Sequence, residues 1–299
     1  MDMSIPIPSV LFGLGGKCVL NWALVFFQKN HILRSFLCIF SLSVSVVDTI
    51  LTLFVTVIHL LQDFSVLSWR LTQYHVCLLV QVLGYIYSAQ HFFILVLTLL
   101  ENLYVVLRRS QNVMWTPTWI FHLFLTLIVW LCSTLYVFKV SNIYPFLEDA
   151  APFQTNNCWV SSSSVISEVA TFVFYLLICF IVWHSLKHGI QHSKNLNSLI
   201  TIKPQILTRL SFISKVVWIF LGTWSLFLIF LVLHVVLLVE MPSYLGLNCA
   251  WFCFINSLLI ALALCIVYPS SELAQGLAAV PPDSFCKWKR RFRSRTDIA

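Results

Sequence analysis

Charge is what this sequence has least of. Of its 299 residues, 18 are Lys or Arg and 11 are Asp or Glu, so one residue in ten is charged. A soluble domain carries about 25%. A folded domain must present a hydrated surface, and this composition cannot cover one. Cytosolic enzymes, disordered chains and secreted disulfide miniproteins are excluded on that ground. The motifs of several other classes are also missing. The ten cysteines form no CxxC pair and no zinc-ligand spacing. There is no Gly-rich phosphate loop, no Gly-x-Ser-x-Gly, no HxxHH box and no pair of aspartates spaced for intramembrane proteolysis. His184, His188 and His192 recur at one-turn spacing, which a metal site can use. A polar face on a helix running out of the membrane explains them as well. No catalytic set, no cofactor motif, no nucleic-acid signature and no Asn-x-Ser/Thr sequon occur. No internal repeat is visible, which counts against the common transporter folds.

What is present is hydrocarbon: 60% of residues are apolar and the mean hydropathy is +0.90. A membrane span needs about 20 apolar residues. Seven such segments can be cut, at 8–27, 36–61, 73–107, 117–138, 164–186, 210–239 and 246–268. They are apolar all round rather than alternating, so a β-barrel is disfavoured. Lipid leaves no partner for free backbone groups, so each segment is expected to be a helix. The reading is an all-α membrane protein, one seven-helix domain over 1–299 with a basic tail at 269–299.

Loop charge orients the bundle. The connections at 28–35, 108–116 and 187–209 and the tail hold Lys29, Arg34, Arg108, Arg109, Lys187, Lys194, Lys203, Arg209, Lys287, Lys289, Arg290, Arg291, Arg293 and Arg295. The opposite set holds Arg70 and Lys139. Positive loops stay cytoplasmic, so the N-terminus is expected outside and the C-terminus inside. With no cleavable-signal pattern ahead of it, the first helix is expected to act as signal anchor. Residues 270–279 are expected to form a short amphipathic helix on the membrane. The basic, aromatic-laced run 285–295 suits anionic lipids, and Cys286 beside it is a candidate lipidation site.

Lys17, Asp48 and His91 lie deep within the first three spans. A charge at mid-membrane costs about 2.5–3.5 kcal/mol on insertion scales, so it should face the bundle and find a partner. Lys17 and Asp48 have opposite signs on adjacent helices, and Asn21 lies one turn from Lys17. A polar cluster of Lys17, Asn21, Asp48 and His91 is expected, closed from the seventh span by Asn256 and Ser257. Among cysteines, Cys77 at the outer start of the third span and Cys158 in the longest outer loop are the best-placed pair for a bridge. Cys249 is a rival partner.

Seven helices, this orientation and a cysteine at the top of helix three resemble a rhodopsin-like G-protein-coupled receptor. The motifs follow in order along essentially the whole chain. Asn21 resembles the family's helix-one asparagine and Asp48 its helix-two aspartate. Glu101-Asn102-Leu103 stands where the family has Asp-Arg-Tyr. Trp130 matches the helix-four tryptophan, Phe220-Leu-Gly-Thr-Trp224 the helix-six Phe-x-x-Cys-Trp motif, and Asn256-Ser257 the pair that precedes Asn-Pro-x-x-Tyr.

The resemblance implies a plasma-membrane, multi-pass receptor that meets lipids, an extracellular ligand, and a heterotrimeric G protein or arrestin. It assigns Phe220 and Trp224 to transmission, and Glu101, Asn102, Arg108 and Arg109 to the cytoplasmic coupling face. By family spacing a ligand pocket is lined by Gln81, Gly84, Tyr85, Ser88, Phe227, Leu231, Ala250 and Phe254. Gly84 lacks the aspartate that an amine ligand needs, and the apolar walls suit an apolar small molecule or peptide. The departures are pointed. Asn102 replaces the arginine; Ile260, Ala261 and Leu264 replace the helix-seven Asn, Pro and Tyr; Leu226 replaces the helix-six proline. Straight, stiff helices five to seven are the expectation. His91 and Ile260 alter the family's sodium site, so an Asp48–His91 contact is expected instead of sodium. A non-signalling scaffold or decoy, and less so a proton-linked transporter, are the competing readings.

Overall fold

The structure, a computed structural model, describes residues 2–27, 35–61, 64–66, 69–108, 119–140, 147–148, 157–194 and 204–267. Arg109, Cys286, the segment 270–279 and the rest of the tail lie outside the described residues, as does most of the basic connecting sequence.

Eight helices are described: α1 (Ile7–Phe27), α2 (Phe36–Leu61), α3 (Gln73–Arg108), α4 (Trp119–Val140), α5 (Ser164–Lys194), α6 (Pro204–Val236), the single turn α7 (Ser243–Gly246) and α8 (Cys249–Val267). Five stretches are long and apolar enough to cross a membrane: Ile7–Phe27, Phe36–Leu61, Gln73–Asn102, Trp119–Lys139 and Phe212–Val236. Ser164–Cys179 and Cys249–Cys265 are shorter apolar helical stretches. The third segment runs as one helix through Gln81, Gln90 and His91. The seventh differs from its expected start. A break at Leu247 separates α7 from α8, and Asn248 serves both ends. Its Nδ2 donates to the Leu245 carbonyl at 3.0 Å, and its Oδ1 accepts from the Trp251 N–H at 2.9 Å. An asparagine there satisfies one orphan group of each helix end.

Compactness divides the chain into two units. The first holds α1 to α4, α7, α8 as far as Ile260, and five short strands. In α1 the buried residues are Ile7, Val10, Leu14, Lys17, Asn21 and Val25, three or four apart, so they form one stripe. The two polar members of that stripe matter below. Ile7, Val10 and Leu14 pack with Val55 and Ile58 of α2, Val76 and Val80 of α3, and Tyr244 of α7.

The strands were not anticipated from sequence. β1 (Asp2–Pro6), β5 (Asn157–Ser161) and β4 (Leu147–Glu148) form an antiparallel sheet in the order β1-β5-β4, with Cys158 between Ile5 and Leu147. β2 (Phe64–Val66) and β3 (Trp69–Leu71) form a separate hairpin. Cys158 is bonded to Cys77 at the start of α3, with the Cα atoms 5.4 Å apart. Cys249 is a free, buried thiol. The sheet continues toward α7 through the Ser163 N–H, which donates to the Met241 carbonyl at 2.8 Å.

The second unit holds α5, α6 and the end of α8. The buried stripe of α6 is Phe212, Val216, Phe220, Trp224, Leu228 and Leu231. The straight helix six expected from the missing proline is not what forms. Trp224 has φ −105° and ψ 15°, and α6 kinks there. One turn back, the Thr223 hydroxyl donates to the Ile219 carbonyl at 2.8 Å. That bond competes with the helical N–H for the same acceptor and bends helices. Thr126 and Thr134 make the same bond in α4, which has no such break, so the Thr223 bond accompanies the bend without accounting for it.

Candidate functional site

The site grows from one carboxylate. Asp48 is fully buried on α2 and accepts three hydrogen bonds. The Lys17 ammonium donates to Oδ1 at 3.0 Å, the Tyr87 hydroxyl to the same oxygen at 2.6 Å, and Asn21 Nδ2 to Oδ2 at 2.9 Å. Lys17 is itself buried. Its second donation goes to the backbone carbonyl of Tyr244 at 2.7 Å, and its nitrogen lies 4.1 Å from the centre of the Tyr87 ring. Carboxylate, carbonyl and aromatic face all favour the charged amine. Asn21 completes the set: its Oδ1 accepts from the Cys249 N–H at 2.9 Å, an orphan donor in the first turn of α8. Four chain segments, α1, α2, α3 and the α7–α8 corner, therefore meet on one ion pair.

Helices have no hydrophobic drive to associate in lipid, so packing and interhelical hydrogen bonds hold them. Burial pushes the Tyr244 phenol up to about 12, so that ring stays neutral and adds no charge to the cluster.

The arrangement differs from the expected cluster in three places. His91 does not bind Asp48: its Nδ1 lies 2.7 Å from the Tyr87 carbonyl, and its buried Nε2 has no hydrogen-bond partner. Tyr87, one turn earlier, supplies the hydroxyl instead. Asn256 does not close the cluster either. Its Oδ1 accepts from Asn102 Nδ2 at 3.1 Å, farther along α3. The Ser257 hydroxyl is buried without a partner. The closing groups are main-chain atoms, the Tyr244 carbonyl and the Cys249 N–H. No side-chain pattern could have announced those. Tyr87 did leave a signal, since it shares a helix face with His91.

The coupling-face residues divide. Glu101 caps α2, accepting from the Phe36 N–H at 3.0 Å and the Ser35 hydroxyl at 3.3 Å, with His122 Nε2 at 3.6 Å. Asn102 is buried on Asn256. Arg108 ends α3, and its side chain is not described. Phe220 and Trp224 lie in the second unit, where the Trp224 and Phe227 rings meet edge to face at 5.8 Å.

The expected pocket residues are also divided. Phe227 and Leu231 belong to the second unit and the other six to the first. Phe254 is fully buried and stacks on Trp251 at 5.9 Å. Gln81 is buried with Oε1 unpartnered, and Tyr85, Ser88 and Ala250 are half-buried. Gly84 does not front a ligand space. A Cβ there would overlap the Ser243 hydroxyl and reach the Ser243 Cβ at 3.3 Å. The missing side chain is what lets α7 lie against α3. Gly84→Ala should therefore lower thermal stability by about 1–2 kcal/mol, the cost of overpacking less the helix-propensity gain of alanine. Combining it with Ser243→Ala should recover most of that loss in a double-mutant cycle of melting curves. Simple additivity would refute the close contact.

No family model matches this chain. It is similar to three curated proteins that bear one name, "Probable G-protein coupled receptor 160". The human protein is 26% identical over 292 residues, covering 93% of this chain and 84% of its own length. The rat protein is 26% identical over 292 residues, covering 93% and 85%. The mouse protein is 26% identical over 297 residues, again covering 93% and 85%.

Proposed function

We propose that the chain is an atypical rhodopsin-like G-protein-coupled receptor. In this reading seven helices span the plasma membrane, N-terminus outside and C-terminus inside, and a helix rearrangement carries an extracellular signal inward. The observation that carries the reading is the similarity to named receptors along 93% of the chain, joined to a set of helices long and apolar enough to cross a membrane. The ion pair of Lys17 and Asp48, with Asn21 and Tyr87, forms the polar core that such a rearrangement would have to repack. The ligand it would take is an apolar small molecule or peptide, and its inner partner a heterotrimeric G protein or arrestin.

A second reading, a non-signalling scaffold or decoy, is favoured by one contact. Where the family carries an arginine, Asn102 makes a neutral amide bond to Asn256, so that position offers no cation to an inner partner. The two readings separate in agonist-free Gα activation, measured across the four Gα classes at matched surface expression. The receptor reading expects basal nucleotide exchange in wild type, raised several-fold by Asn102→Arg. Silence in wild type with activity in Asn102→Arg identifies a coupling-competent fold whose sequence has given coupling up. Silence in both removes the support for signalling.

A further inference from the structure

The turn α7 occupies its place by more than chain connectivity. A glycine on α3 leaves room for it. Gly84 of α3 faces Ser243, whose hydroxyl a Cβ would overlap, and on the α1 side Gly13 lies in ordinary contact with the Tyr244 hydroxyl and the Leu245 side chain. Tyr244 is only 2% exposed, so its ring is inserted into the first unit rather than laid on it. Lys17 is already neutralised by Asp48, yet its shorter bond, 2.7 Å against 3.0 Å, goes to the Tyr244 carbonyl. A buried ammonium with a carboxylate in hand does not need that acceptor for charge balance. It does need it to satisfy a second N–H of a buried ammonium. Weaker, neutral ties also hold the turn: a hydroxyl pair between Ser161 and Ser243 at 3.0 Å, and Asn248 Nδ2 donating to the Leu245 carbonyl at 3.0 Å.

We propose that Lys17 is a latch: its ammonium, anchored on Asp48, grips the Tyr244 carbonyl and holds α7 as an intramolecular plug in the space between α1 and α3. The plug is a segment of the chain itself, Ser243–Gly246. Its release breaks that charge-assisted bond and draws the buried Tyr244 ring out from between the helices, while the β1-β5-β4 sheet and its disulfide stay in place. The latch is independent of G-protein coupling, so failure of the receptor reading leaves it standing, and its own failure leaves that reading standing.

Hydrogen exchange on the purified full chain in lipid nanodiscs tests it. The single change Lys17→Met leaves Asp48 unpaired and risks unfolding, so the decisive variant is Lys17→Met/Asp48→Asn, which leaves no buried charge. Exchange at the amides of 243–247 should quicken about tenfold or more, as expected when a bond to a charged donor is lost. Exchange in β1 and β5 should not change. Lys17→Arg should keep the plug protected, and Ser161→Ala should quicken exchange there by only about two- to threefold, the low end for a neutral hydroxyl pair. In Lys17→Ala, propylammonium should restore protection and tetramethylammonium should not, because only the former has N–H groups to donate. Wild-type protection of 243–247 in the neutral double variant would overturn the latch. So would equal rescue by tetramethylammonium, which would mean that bulk, not donation, seats the turn.

Discussion

Lys17→Met is expected to be among the most damaging single substitutions in this chain, lowering the free energy of unfolding by about 3–5 kcal/mol. The side chains of Lys17 and Asp48 are 3% and 0% exposed, and removing Lys17 leaves a buried carboxylate with only the neutral donors Tyr87 and Asn21 and no counter-ion. The loss should be nearly silent in the charge-neutral background. Lys17→Met/Asp48→Asn keeps an acceptor for the Tyr87 hydroxyl and removes the need for a counter-ion, so most of the stability should return. Thermal melting of detergent-solubilised protein, with surface expression as the cellular counterpart, reads both. If single and double variants are equally unstable, the cost belongs to packing and not to the ion pair. If Lys17→Met melts like wild type, Asp48 is protonated and no ion pair exists.

Loss of the Cys77–Cys158 bridge is the second large effect. It links residues 81 apart in sequence, and releasing a loop of that length from the unfolded-state constraint costs about 2–5 kcal/mol. The local surroundings raise the stake. Cys158 lies on β5, the central strand of its sheet, paired with Ile5 on one side and Leu147 on the other, and both cysteines sit in the buried cluster with Ile7, Val76, Val80 and Val160. Cys77→Ser, Cys158→Ser and the double variant should lose the same stability and the same surface expression, because each removes one shared bond. Additive losses would assign the effect to two separate packing defects. Alkylation of the denatured, unreduced protein should label Cys249 and leave Cys77 and Cys158 unlabelled.

The helical class was legible because lipid simplifies the code. Apolar segments separated by polar breaks can satisfy their backbone only as helices, and composition alone marks them. The meeting of Lys17, Asn21 and Asp48 was legible for a related reason. Buried charges of opposite sign on neighbouring helices have few alternatives to each other. His91 was misplaced because a neutral imidazole is free to use a backbone carbonyl, and does so on Tyr87. The bend at Trp224 was missed because proline is the usual marker of a kink. Here the kink forms at Trp224 without one, and no residue type beside it marks the place.

By itself, then, the sequence determined a helical membrane chain, the candidate bridge between Cys77 and Cys158, and the three side chains from α1 and α2 that form the buried ion cluster. These follow from hydrophobic length and from the cost of an unpaired charge, quantities local to each segment. Only the tertiary structure decided that Tyr87 completes the carboxylate, that the Tyr244 carbonyl takes the second bond of Lys17, and that Gly84 makes room for a turn and not for a ligand. Those choices rest on main-chain atoms and on the absence of a side chain, and neither carries a pattern until the chain has brought distant segments within bonding distance.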